Sequence, residues 1–121
     1  MKTRLIMPQE VEVFYVIPAI RRELALAMKS SGKKQREIAK LLCVEDSTVS
    51  QYVNDKRATR INLNNKVKGA VASSVKKIKD MVSLVREIQN LLKLVKNENA
   101  LCEIHRAKSS LPKSCNACLF R

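Results

Sequence analysis

Residues that punctuate a backbone are nearly missing from this chain, which has two glycines and three prolines in 121 residues. Sheets need frequent turns, so a chain this poor in turn formers and rich in Lys, Leu, Val and Ala is expected to be helical. The same scarcity excludes a glycine loop that cradles phosphates. Gly32-Lys33-Lys34 lacks both the preceding glycine and the Ser or Thr that such a loop needs. Aromatic residues are few, with two Tyr, two Phe and no Trp, which leaves little for stacking on exposed bases. No apolar run can span a bilayer, because Glu10, Glu12 and Pro18 interrupt Val11 to Ile20 and Arg21-Arg22 follow at once. With no secretion or membrane signal, the protein is expected in the cytoplasm. There, four cysteines serve as free thiols or metal ligands rather than as disulfides.

Negative charge is the other shortage. Eleven Asp and Glu face 24 Lys and Arg, for a formal charge of +13 and a pI near 10. A field of that sign attracts polyanions, either nucleic acid or an anionic membrane surface. The length allows one modest core, with or without an appended element.

What the chain does have is concentrated between Gln35 and Asn54, QREIAKLLCVEDSTVSQYVN. Ile38, Ala39 and Leu42 fall where one short helix needs them, Val44 lies in a turn, and Val49 and Tyr52 serve a second helix. This spacing predicts a helix-turn-helix, in which a small residue at Ala39 lets the second helix pass close over the first. Glu45 or Asp46 is expected to cap the second helix at its positively polarised end. The outward face would then be Ser47, Thr48, Ser50, Gln51 and Asn54, short hydrogen-bonding side chains suited to base edges in a major groove. Lys33, Lys34 and Arg36 stand at the entrance to the first of these helices and Lys56, Arg57 and Arg60 follow the second, where phosphates flank a groove.

These twenty residues resemble the helix-turn-helix of lambda-repressor-like (Xre-type) transcription regulators. Gln35, Ile38-Ala39, Leu42, Val44, Val49 and Tyr52 share that family's register, and VSQYVNDKR is similar to its recognition helix with a basic exit. The family usually has Gly at the turn, where the backbone tends to be left-handed; here Cys43 takes that place and carries a steric penalty. The wider chain, from Pro8-Gln9-Glu10-Val11 through Ile17-Pro18-Ala19-Ile20-Arg21 to a cysteine-bearing tail, is similar to a group of predicted archaeal transcription regulators. The resemblance implies duplex DNA as partner. Gln35, Ser47, Thr48, Ser50, Gln51 and Asn54 would face bases or adjacent phosphates, with Lys33, Lys34, Arg36, Lys56 and Arg57 on the backbone.

Around this unit the expected class is all-α, in three parts: a lambda-repressor-like domain over 1–63, a long helical segment over 64–98 that dimerises, and a Cys/His tail over 99–121. Residues 1 to 7 read as a basic, frayed leader. VEVFYVI alternates like a strand but is assigned to a helix opened by Pro8, with Glu10 and Glu12 near its positive end. Ile17, Ile20, Leu24 and Met28 share the face of a helix that ends near Ser30-Ser31-Gly32. Asn64 is placed to cap a new helix, whose spacing runs from Val67 through Val71, Val75 and Ile78 to Val85, with a bend or break near Asp80. Two seams follow: Met81, Leu84, Ile88, Leu91 and Val95, and beside it Val82, Val85 and Leu92. A helix apolar on two sides predicts one face packed at home and the other on a second copy.

The tail reads Cys-x2-His-x9-Cys-x2-Cys, with Cys102, His105, Cys115 and Cys118. Two chelating pairs suit a tetrahedral zinc ion. The same residues also admit an iron–sulfur cluster, a redox dithiol at Cys115 and Cys118, or no ligand. Cys43 is expected to be buried as a small apolar residue at the turn. No catalytic constellation is present: Cys102 and His105 share a helical turn with no sign of an enclosed pocket, so the chain is read as not an enzyme. Two other functions remain open beside DNA binding. One is an RNA-associated metal protein, separable by competition between duplex DNA and RNA; the other is an antitoxin-like interaction module, which a stable homodimer would argue against.

Overall fold

The computed structural model describes residues 7–54 and 63–97. These residues are helical and contain no strand, as the shortage of turn formers and the apolar spacing predict. The chain runs unbroken from α1 (Pro8–Val11) through one π-helical turn (Glu12–Val16) into α2 (Ile17–Ser30). The strand-like alternation of VEVFYVI is thus carried on a helix. At its start the Met7 amide donates to Glu10 Oε1 at 3.0 Å, an acid on the orphan donors of a helix amino end.

Four more helices follow: α3 (Gln35–Leu42), α4 (Asp46–Val53), α5 (Asn65–Val75) and α6 (Met81–Asn97). α2 is the centre and packs against each of the other four. Its Ile20, Leu24, Ala25 and Met28 are fully buried, at helical spacing on the face the sequence indicated. Ile38, Ala39 and Leu42 of α3, Val49 and Tyr52 of α4, and Val67 and Val71 of α5 join them in one core. Burial of each Leu- or Ile-sized side chain contributes about 1.5–3 kcal/mol. The core extends into α6 through Leu84, Ile88, Leu91, Leu92 and Val95, so residues on both sides of position 63 share it.

Helix ends explain most of the boundaries. α2 stops where Gly32 takes φ 98°. The Gly32 and Lys33 amides there donate to Lys29 O at 3.0 Å and Met28 O at 3.1 Å, the paired bonds of a Schellman ending. α3 stops in the same way without glycine. Cys43 sits at φ 56°, ψ 43°, its amide donates to Lys40 O at 3.3 Å, and the Val44 amide donates to Ala39 O at 3.0 Å. The left-handed turn residue expected there is present, and its Cβ bears the strain. Asn64 caps α5 as expected, Oδ1 accepting from the Val67 amide at 2.9 Å.

Three expectations need correction. Cys43 is exposed rather than buried, because a left-handed residue that closes a helix projects its side chain off the end of the packed face. Leu92 belongs to the inner face of α6 (6% exposed), not to an outer seam with Val82 and Val85. Met81 does not lead the inner seam but stands 67% exposed, in the first turn, before the helix reaches the core. The predicted break is real, and lies between Val75 and Met81.

Candidate nucleic-acid interface

The angle between α3 and α4 is set by the Cys43–Glu45 link and by one bridge. Gln35, the first residue of α3, is exposed, and its Nε2 donates to Asp46 O at 3.0 Å, joining the starts of the two helices. Beneath them Ile38 and Val49 are both fully buried and Ala39 nearly so, the close crossing that a small residue permits. Glu45 holds the cap position of α4 in extended conformation but makes no side-chain cap bond. The expected carboxylate cap is therefore not formed by Glu45, and Asp46 lies within the first turn.

With Val49 and Tyr52 turned inward, the outer face of α4 is polar. Ser47, Gln51 and Asn54 are exposed, and their spacing of four and three places them in one stripe. Ser50 and Thr48 flank it, half-buried. Asn54 Nδ2 donates to Ser50 Oγ at 3.3 Å. Thr48 turns towards a cleft of about 510 Å³ that Arg21, Cys43, Glu45 and Tyr52 also line. Of the flanking cations, Lys34 and Arg36 are exposed, while Lys33 is half-buried with Nζ 3.7 Å from Glu37 Oε2. An exposed pair of that length contributes little and leaves the lysine available to a stronger anion. Lys56, Arg57 and Arg60 lie outside the described residues, as do the four tail residues Cys102, His105, Cys115 and Cys118.

Spacing alone did not reveal a second basic surface, at the turn between α5 and α6. Lys76, Lys77, Lys79 and Arg86 line a cleft of about 440 Å³. A reciprocal cap holds this turn: Ser83 N–H donates to Asp80 Oδ1 at 2.8 Å, and Ser83 Oγ accepts from the amides of Lys79 and Asp80 at 2.8 and 3.0 Å. It is a capping box with Asp and Ser in exchanged places. Asp three residues before Ser, just ahead of an apolar run, was the signal for it. The Ser83 amide and then its hydroxyl, with Arg86 adding a smaller attraction, hold the Asp80 carboxyl below its usual range. Next to this turn Met81, Val82 and Val85 are 67%, 65% and 54% exposed. Together they form an exposed apolar patch on the first turns of α6.

Among the described residues, fold and surface define an all-α arrangement with a crossed helix pair, in a chain of formal charge +13. No helix among the described residues is long and apolar enough to cross a membrane. No family model, curated protein or solved structure matches the chain.

Proposed function

We propose that this protein is a transcription regulator of the lambda-repressor-like, helix-turn-helix type that binds specific sequences of double-stranded DNA as a homodimer in the cytoplasm. The supporting observation is the stripe Ser47, Gln51 and Asn54, exposed on α4 while the opposite side of the same helix is buried against α3 and α2. Short amides and hydroxyls on a rigid helix discriminate base edges, whereas the cations Lys33, Lys34 and Arg36 hold phosphates. Gln35 and Ser50 sit beside the stripe and complete the contact. The outward Met81, Val82 and Val85 form the seam between copies, so that two α4 helices meet half-sites about one helical turn apart.

The test is a Gln51→Ala variant, measured on a duplex selected by the native protein from a random pool and on unselected duplex. Discrimination falls roughly tenfold or more, the scale of one good base contact. An equal loss on every sequence, or tighter binding to structured RNA than to duplex in competition, sinks the reading.

Cys102, His105, Cys115 and Cys118 hold a zinc ion in this proposal, on the strength of their spacing in two chelating pairs. Metal analysis of anaerobically purified protein checks it: colourless protein with stoichiometric zinc is expected. Brown protein carrying iron and sulfide would replace zinc with a cluster, and metal-free protein would end the proposal.

A further inference from the structure

Arg21 in α2 carries a charge that the described residues leave without a partner. Its Nε is buried with no acceptor among them, and its guanidinium enters no ion pair. The neighbouring Arg22 Nε is buried in the same way, but that guanidinium is committed, Nη1 donating to Glu23 Oε2 at 3.0 Å. A guanidinium has five N–H donors and stays protonated in proteins, so it cannot shed an unmet donor by titrating. Buried donors nearly always find an acceptor. What Arg21 calls for is an oxyanion.

The side chain lines the cleft of about 510 Å³ between α2 and α4, within the roughly 300–1,000 Å³ typical of small-ligand sites. Pro18, Val44 and Tyr52 supply apolar wall, and Cys43, Glu45 and Thr48 complete it. Glu45 is the sole acid in the lining, exposed and in no ion pair among the described residues. A carboxylate of the chain itself is thus on hand and does not hold Arg21. A ligand carboxylate, with the same single charge, has no advantage over it. A terminal phosphate, with a charge of about −1.5 to −2 and three acceptor oxygens, does, and its oxygens match the guanidinium fork in pairs.

We propose that the α2–α4 cleft binds a small molecule through a terminal phosphate group, held by the Arg21 guanidinium. The occupant lies against the turn residues Cys43, Val44 and Glu45 and against Thr48 and Tyr52 of α4, so it bears on the link that sets how α3 and α4 cross. The inference does not depend on DNA recognition by α4 or on association of two copies.

Nuclear magnetic resonance of the isotope-labelled full chain, read at the arginine Nε–H signals, tests the proposal. Inorganic phosphate is the probe, with acetate as the singly charged control and sodium chloride at matched ionic strength as the control for screening. The Arg21 signal, identified through its bonded side-chain carbons, shifts to saturation with phosphate, while the Arg22 signal stays in place as the internal reference. In Arg21→Lys, which keeps the charge but loses the fork, the backbone amides of Cys43 and Thr48 report phosphate binding weakened about tenfold or more. Should that variant not fold, the two arginine signals of the native chain still decide the outcome. A shift shared with Arg22, an equal shift with acetate or chloride, no shift at all, or unweakened binding in a folded Arg21→Lys overturns the proposal. A short duplex of arbitrary sequence forms the last arm: a shift with duplex and none with phosphate assigns Arg21 to the nucleic-acid backbone and overturns the small-ligand site. The Gln51 result changes none of the phosphate readouts, so the two failures are distinguishable.

Discussion

α4 and α6 both bury one side in the same core, yet they differ in how they begin and in what they turn outward. α4 follows a left-handed Cys43 and has no side-chain cap; α6 starts in a closed exchange of hydrogen bonds between Asp80 and Ser83. α4 presents hydroxyls and amides, whereas the first turns of α6 present Met81, Val82 and Val85. Polar tips need a partner with directional donors and acceptors, while aliphatic tips need only area and shape. The strained, uncapped helix is the one with the more demanding outer face. Strain tends to be kept where function requires a particular geometry, which is consistent with the role proposed for α4.

The contrast between inner and outer faces is tested most strongly within α6. Leu91→Ala, at a position 2% exposed, is expected to cost about 2–5 kcal/mol in chemical denaturation through lost burial and a cavity. Val85→Ser, 54% exposed on the other side, is expected to stay within about 0.5 kcal/mol of the native value. Comparable losses at both positions would mean that the outer patch is already covered within one copy. A smaller effect, of opposite sign, tests the difference in helix starts. Cys43→Gly removes the Cβ from a left-handed residue and is expected to raise stability by about 1 kcal/mol. The close parallel is Gly32, which ends α2 with the same pair of hydrogen bonds. A destabilised Cys43→Gly protein would show that the thiol makes a contact outweighing the strain.

Much of this architecture was legible in the residues. The spacing Ile38, Leu42, Val49 and Tyr52 marked the crossed pair because its apolar positions admit one inward face for each short helix. Asn64 announced α5 because its side chain has one obvious task before an apolar run. Leu92 was misassigned since a helix with apolar residues around much of its circumference does not declare which of them point inward; the packing of α6 on α2, α3 and α5 decides that. Cys43 was taken for a core residue from its type, whereas its left-handed backbone governs where the thiol goes. The outward stripe on α4 was legible as chemistry, but Thr48, which lines the cleft beside Arg21, and Ser50, half-buried and accepting from Asn54, were not separable from Ser47 and Gln51 before the packing of α4 was known. The basic cleft escaped because its cations lie on both sides of a turn and converge only in three dimensions.

The π turn at Glu12–Val16 has a consequence for anyone counting along this chain. Val11 and Val16 are both fully buried, although five residues of ordinary α-helix, at about 100° each, would set them about 140° apart. The wide turn, closed by the Ile17 amide on Glu12 O, resets the phase. A comparison that aligns the start of this protein by threes and fours therefore slips out of step at Glu12, and two chains that differ by one residue there can share every core contact downstream.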